Sequence, residues 1–154
     1  MSNKEIEKKV PDIFKKYNMP PEGAREDEIL VFRACRTNKV DADSFLPTYI
    51  EENYQFDDDE KNKNPGIFGM STYTKAKDVK RFAITNSEYR KPLKIAIGKT
   101  NPRHGLIQPT KERDKKSKSS HVDWWLYEKA CPHEEFDLIE DFEEYYKNIR
   151  GGNT

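Results

Sequence analysis

Cysteine is almost missing from this 154-residue chain: Cys35 and Cys131 are the only two. Two thiols cannot build a cysteine-rich zinc site without His or carboxylate help, and no metal centre is expected. In a reducing compartment both are expected to be buried thiols. Long apolar runs are missing too. None nears the ~18 residues of a membrane-spanning helix, so no membrane partner is expected. The N-terminus, MSNKEIEKKVPDIFKKY, alternates charged and apolar residues and lacks the apolar stretch of a secretory signal. A cytoplasmic location is the resulting expectation. An excess of one charge is also absent, because 28 basic residues balance 28 acidic ones. No global field draws in nucleic acid or an anionic surface. Apolar residues reach only 34% against 36% charged, which predicts a small core among charged loops. Aromatics at 12% argue against wholesale disorder, and the length suits one domain.

What is present reads as mixed elements. Ile6, Val10, Ile13, Phe14 and Tyr17 fall at helical spacing and predict an N-terminal amphipathic helix, broken at Pro11. Met19 to Gly23 is a breaker cluster that reads as a short linker, which divides the chain into an N-terminal helix and linker over 1–20 and a single domain over 21–150. Glu28-Ile-Leu-Val-Phe-Arg-Ala-Cys35 reads as a buried strand. Asp43 or Ser44 is expected to cap a short helix through Phe45, Tyr49 and Ile50, with Pro47 in its first turn. Residues 55–66 are polar and read as a loop, followed by a strand from Ile67 to Tyr73. Thr74 is expected to cap a central helix whose apolar stripe is Ala76, Val79, Phe82 and Ala83. Leu93, Ile95 and Ile97 show the period of a strand, and residues 105–108 a short one. Residues 110–120 hold five basic and two acidic residues and read as a mobile basic loop. His121 to Tyr127 and Phe136 to Ile139 complete the strands. An acidic helix over 141–149 and a disordered tail over 151–154 close the chain. Without regular βαβ alternation, the class is α+β: a small, mainly antiparallel sheet with N-terminal, central and C-terminal helices.

The candidate chemistry centres on the block His121-Val-Asp-Trp-Trp-Leu-Tyr127. In an extended segment Val122, Trp124 and Leu126 share one face. His121, Asp123, Trp125 and Tyr127 share the other, at steps of about 7 Å. An imidazole moves protons near neutral pH, and a neighbouring aromatic stacks on a base or a nicotinamide ring. The competing reading places the tryptophans in the core and His121 with Asp123 at the sheet edge. Arg33 and Arg36 belong to the first strand. An Arg in a buried strand needs an anionic ligand or an internal carboxylate, and both stay open. Backbone and hydroxyl groups of Gly69 to Tyr73 entering a helix form either an anion seat or a plain cap. Lys99, Arg103 and His104 surround a turn. Paired with His121, His104 would suit acid–base cleavage of RNA, with the basic loop on phosphates. His133 is expected at the surface. Seven Asp or Glu between 134 and 144 form a solvated face or a mask for the basic loop.

The order of these blocks resembles the ADP-ribosyltransferase-like fold of the arginine, serine, glutamate type. The likeness runs over residues 28–139: Val31-Phe32-Arg33, then Phe68-Gly-Met-Ser-Thr-Tyr73 leading into a helix, an alternating strand at 93–97, and a late strand with two polar residues one apart. Carried over, the resemblance implies that Arg33 holds the phosphates of NAD and that Ser71 and Thr72 line the nicotinamide ribose pocket. His121 and Asp123 stand where the family has its Glu-x-Glu pair. The chain is also similar to small bacterial and phage proteins sharing the Phe45-Leu-Pro-Thr-Tyr49 and His121-Val-Asp-Trp-Trp125 blocks. The leading expectation is a domain that binds a nucleotide- or NAD-like phosphate ligand, acting as an ADP-ribosyltransferase or NAD glycohydrolase. Its catalytic pair would be His121 and Asp123, and its ligand contacts Arg33, Arg36, Ser71, Thr72, Trp125 and Tyr127. The alternatives are a metal-free RNase using His104 and His121, and a non-catalytic interaction protein, an inhibitor or accessory factor of a bacterial or phage conflict system such as a toxin or phage-defence system.

Overall fold

Five of the six residues of Leu30–Cys35 (β1) are buried, as expected of an apolar, β-branched run. A computed structural model describes residues 8–51, 56–87 and 91–152. Around β1 it assembles Met70–Tyr73 (β2), Lys94–Lys99 (β3), Gly105–Pro109 (β4), His121–Leu126 (β5) and Phe136–Ile139 (β6). They form one six-stranded sheet, ordered β4-β5-β2-β1-β3-β6. Every pairing is antiparallel, so the α+β expectation holds.

The sheet is covered on both faces. On the first face Val31, Cys35, Ala96, Met70, Val122 and Trp124 pack with Phe45, Ile107 and Phe136. The second face carries two separate apolar groups. Phe32, Ala34 and Ile95 lie under the helices Ala76–Thr85 (α4) and Phe142–Gly152 (α5). Trp125 packs with Phe14, Tyr17, Tyr49 and Phe68. Alternation along β2 and β5 leaves Ser71, His121 and Asp123 on this second face, between the two groups.

Several local expectations change. The N-terminal helix is Asp12–Lys16 (α1), and it begins after Pro11 rather than breaking there, because a proline needs no helical partner for its nitrogen at a helix start. Ile6 lies outside the described residues. Phe14 is 1% exposed within the Trp125 cluster, so this helix packs against the sheet. Asp41, not Asp43 or Ser44, caps the turn Ala42–Ser44, and its carboxylate accepts from the Ser44 N–H. A separate helical turn, Thr48–Glu51 (α2), begins after Pro47. The expected loop over 55–66 contains a helix, Asp58–Lys63 (α3), capped by Asp57 and followed by the 3-10 turn Pro65–Phe68. That turn shortens the predicted strand to Met70–Tyr73. Thr74 does not cap α4, whose N-cap position is Lys75 without a side-chain bond. The helix α5 runs on to Gly152, so residues 151 and 152 are helical rather than tail, while 153 and 154 lie outside the described residues. Cys35 is buried, but Cys131 is half-buried, and both thiols are free.

Residues 110–120 are organised by specific contacts. The turn Thr110–Glu112 is pinned by Arg25, whose Nη1 and Nη2 donate to Glu112 at 2.8 and 2.9 Å. Arg25 also bridges Ile107 through paired backbone bonds, which covers the outer edge of β4.

Candidate functional site

Ser71 of β2 and Asp123 of β5 face each other across the ladder, with Tyr73 opposite His121 one step along. This register converts the polar face of β5 into a chain of hydrogen bonds. Ser71 Oγ lies 2.8 Å from His121 Nε2. Thr110 Oγ1 lies 2.5 Å from His121 Nδ1 and donates to Asp123 Oδ2 at 2.8 Å. Arg113 Nη2 donates to the same Oδ2 at 2.6 Å, and its Nη1 donates to Gln108 at 3.1 Å.

The donor inventory fixes the proton positions. Thr110 has one O–H and gives it to the carboxylate, so its oxygen accepts from His121 Nδ1–H. His121 Nε2 is then the acceptor, and the Ser71 hydroxyl donates to it. Burial pushes the imidazole pKa below its usual value. Asp123 opposes the shift, while Arg113 and Arg33 add to it. His121 is therefore neutral at pH 7. Asp123 is 1% exposed, and its Oδ1 has no hydrogen-bond partner among the described residues, lying 3.9 Å from His121 Nδ1.

A recess of about 220 Å³ opens beside His121. Lys75, Lys111 and Lys118 rim it, and Thr74, Ser119 and Ser120 add hydroxyls. All three lysines are exposed.

The remaining expected ligand contacts lie elsewhere. Arg33 is 1% exposed, and each nitrogen of its guanidinium is committed. Nε donates to the Ser44 carbonyl at 2.9 Å, Nη1 to the Ser71 carbonyl at 2.8 Å and Nη2 to Glu51 at 2.5 Å. The strands β1 and β2 pair at one position, Phe32 with Tyr73, and the guanidinium takes a β2 carbonyl beyond it. Arg33 thus has the internal carboxylate, and it supports the back of Ser71. Arg36 also faces Glu51, at 3.7 Å, and lies 5.6 Å from the Phe82 ring. Thr72 is fully buried on the opposite face from Ser71, its hydroxyl donating to the Val122 carbonyl at 2.9 Å. Trp125 is 1% exposed, with its indole N–H on the Pro65 carbonyl at 3.0 Å, and Tyr127 is buried beyond the end of β5. Neither ring offers a free face for stacking on a base.

His104 does not join His121. It is 2% exposed and packs on Trp124, which belongs to the opposite sheet face. Its Nε2 contacts Glu135, and Arg103 reaches the same carboxylate at 3.1 Å. Burial lowers the His104 pKa against the pull of Glu135. The neutral ring gives its single N–H to Glu135 and leaves Nδ1 without a hydrogen-bond partner among the described residues. Lys99 lies at the end of β3, in the wall of a separate groove with Asn101 and Glu135. His133 is half-buried near Phe45. No cluster of three or more metal-ligating side chains occurs among the described residues.

Thr110, Arg113, Gln108 and Glu51 were missed by the sequence reading. The first three become visible once residues 105–109 and 121–126 are paired as neighbouring strands, since that register sets Gln108 against Asp123 and Thr110 just beyond Pro109. Glu51 carries no such signal. No helix among the described residues is long and apolar enough to cross a membrane. No protein-family model, curated protein or solved structure matches this chain.

Proposed function

We propose that the chain binds a nucleotide- or NAD-like phosphate ligand in the recess beside His121, as an ADP-ribosyltransferase-like domain of the transferase or glycohydrolase class. The observation that carries this reading is the convergence of Lys75, Lys111 and Lys118 on a hollow that also presents a neutral imidazole. Lysine ammonium groups and serine or threonine hydroxyls suit phosphate oxygens. At about 220 Å³ the recess is smaller than the ~300–1,000 Å³ of typical small-molecule sites. It accommodates a phosphate and its sugar, with the rest of the ligand lying over the exposed rim. In this reading an attacking hydroxyl or water displaces the Ser71 hydroxyl from His121 Nε2 and gives up its proton there, and Asp123 favours the imidazolium so formed. In this arrangement the lysines replace Arg33 as the phosphate contacts, because Arg33 is spent on Glu51.

Isothermal titration calorimetry with ADP-ribose and with NAD tests the reading. Saturable heat is expected with at least one of them, weakened tenfold or more in Lys75→Ala/Lys118→Ala. Silence from both ligands with folded wild-type protein overturns it.

A further inference from the structure

Ser71 meets the geometric definition of an activated hydroxyl. A nucleophile of this kind needs a base within about 2.6–3.2 Å and a third group that orients the base. Ser71 Oγ is 2.8 Å from His121 Nε2, and the imidazole is held from behind by Thr110, which is itself bonded to Asp123. The proton positions derived above run one way, from Ser71 to Nε2 and from Nδ1–H to Thr110, with the Thr110 proton on the carboxylate. This is the order in which a base accepts a serine proton. Ser71 is only half-buried, and Arg33 donates to its backbone carbonyl, which anchors the strand at this residue.

We infer that Ser71 is a catalytic nucleophile for acyl transfer from carboxylic esters, with His121 as its base and Thr110 and Asp123 as positioning residues. Ser71 Oγ attacks the ester carbonyl carbon and its proton passes to His121 Nε2. The tetrahedral adduct collapses, the bond to the alcohol breaks, and the alcohol leaves with that proton. Water then attacks the acyl-serine and gives one proton to Nε2. Release of the acid returns the proton to Ser71 Oγ. The net reaction is ester plus water to acid plus alcohol. The inference shares His121 with the phosphate-ligand reading but not its ligand, and the calorimetric titration involves no Ser71 chemistry, so the two fail separately.

The test is reaction of the full chain with a fluorophosphonate, which forms a serine–phosphorus bond and releases fluoride, followed by peptide mass mapping. One adduct is expected, on Ser71, formed at least tenfold faster than on any other hydroxyl. His121→Gln is expected to cut the rate tenfold or more, and Thr110→Val to slow it and move the midpoint of its pH profile. No Ser71 adduct in folded protein, or a rate that His121→Gln leaves unchanged, overturns the inference. Should the His121 variant fail to fold, Ser71→Cys serves instead. Its thiol is expected to react with iodoacetamide at pH 7 at least tenfold faster than Cys131, and an equal rate overturns the inference.

Discussion

Glu51 Oε2 lies 2.5 Å from Arg33 Nη2, with the two side chains 6% and 1% exposed. The pair closes the place where β1 and β2 part, and it holds Ser71 through the third arm of the guanidinium. Removing one partner of a buried pair costs about 3–5 kcal/mol, because the other charge stays buried and unmatched. Glu51→Ala is therefore expected to lower the melting temperature by roughly 6–20 °C for a domain of this size. Arg33→Met/Glu51→Leu should recover much of that loss, since an apolar pair replaces the ionic one. Thermal melts followed by circular dichroism decide it. A Glu51→Ala melt within a degree of wild type would show that the pair contributes nothing.

The two thiols should separate cleanly. Burial pushes the Cys35 pKa to about 11, whereas Cys131 is half-buried. The thiolate is the reactive form. Titration with Ellman's reagent at pH 8 is expected to consume one thiol per chain at once and the second only in denaturant. Rapid reaction of both in native buffer would contradict the buried placement of Cys35.

Stability should depend on pH through two histidines. Burial lowers the pKa of His104 and of His121 in the folded chain. The unfolded state then binds more protons below about pH 6.5, so stability is full above that value and falls as pH drops toward the folded pKa values. Urea midpoints measured from pH 7.5 to 5 are expected to decline. His104→Gln/His121→Gln should flatten the decline, the glutamine at 104 still donating to Glu135. An unchanged slope in the double variant would refute the assignment.

Alkaline conditions act in the other direction. Burial raises Cys35 to about 11 and Tyr73 to about 12, so both stay protonated in the fold after their unfolded counterparts ionise. Their contribution is full below their unfolded pKa values and is lost as pH climbs through the folded ones. Tyr73→Phe, which cannot ionise, should reduce the fall in urea midpoint between pH 9 and 11. No difference from wild type would exclude Tyr73 as a source.

Gly98 pairs with Phe136 across β3 and β6, and a Cβ at 98 would sit 2.6 Å from the phenyl ring. Gly98→Ala must displace that ring from the first-face core, a cost of about 1–3 kcal/mol. Gly98→Ala/Phe136→Leu should be less destabilised than the sum of the single changes. Strict additivity in urea melts would rule out the clash.

The sequence by itself determined the α+β class, most of the strands and the two-faced character of β5, because alternation and β-branching are local properties of the chain. It also singled out Arg33, His121 and Asp123, since a charged or proton-moving group in an apolar strand stands out by composition, and Ser71 as part of the run from Gly69 to Tyr73 that leads into a helix. Their grouping was decided by tertiary structure. The β2–β5 register placed Ser71 on His121, the β4–β5 hairpin delivered Thr110 and Arg113 to Asp123, and α2 gave Arg33 to Glu51 rather than to a ligand. Each of these contacts joins residues from different elements, and side-chain hydrogen bonds act over about 3 Å, far less than the distances that sequence patterns specify.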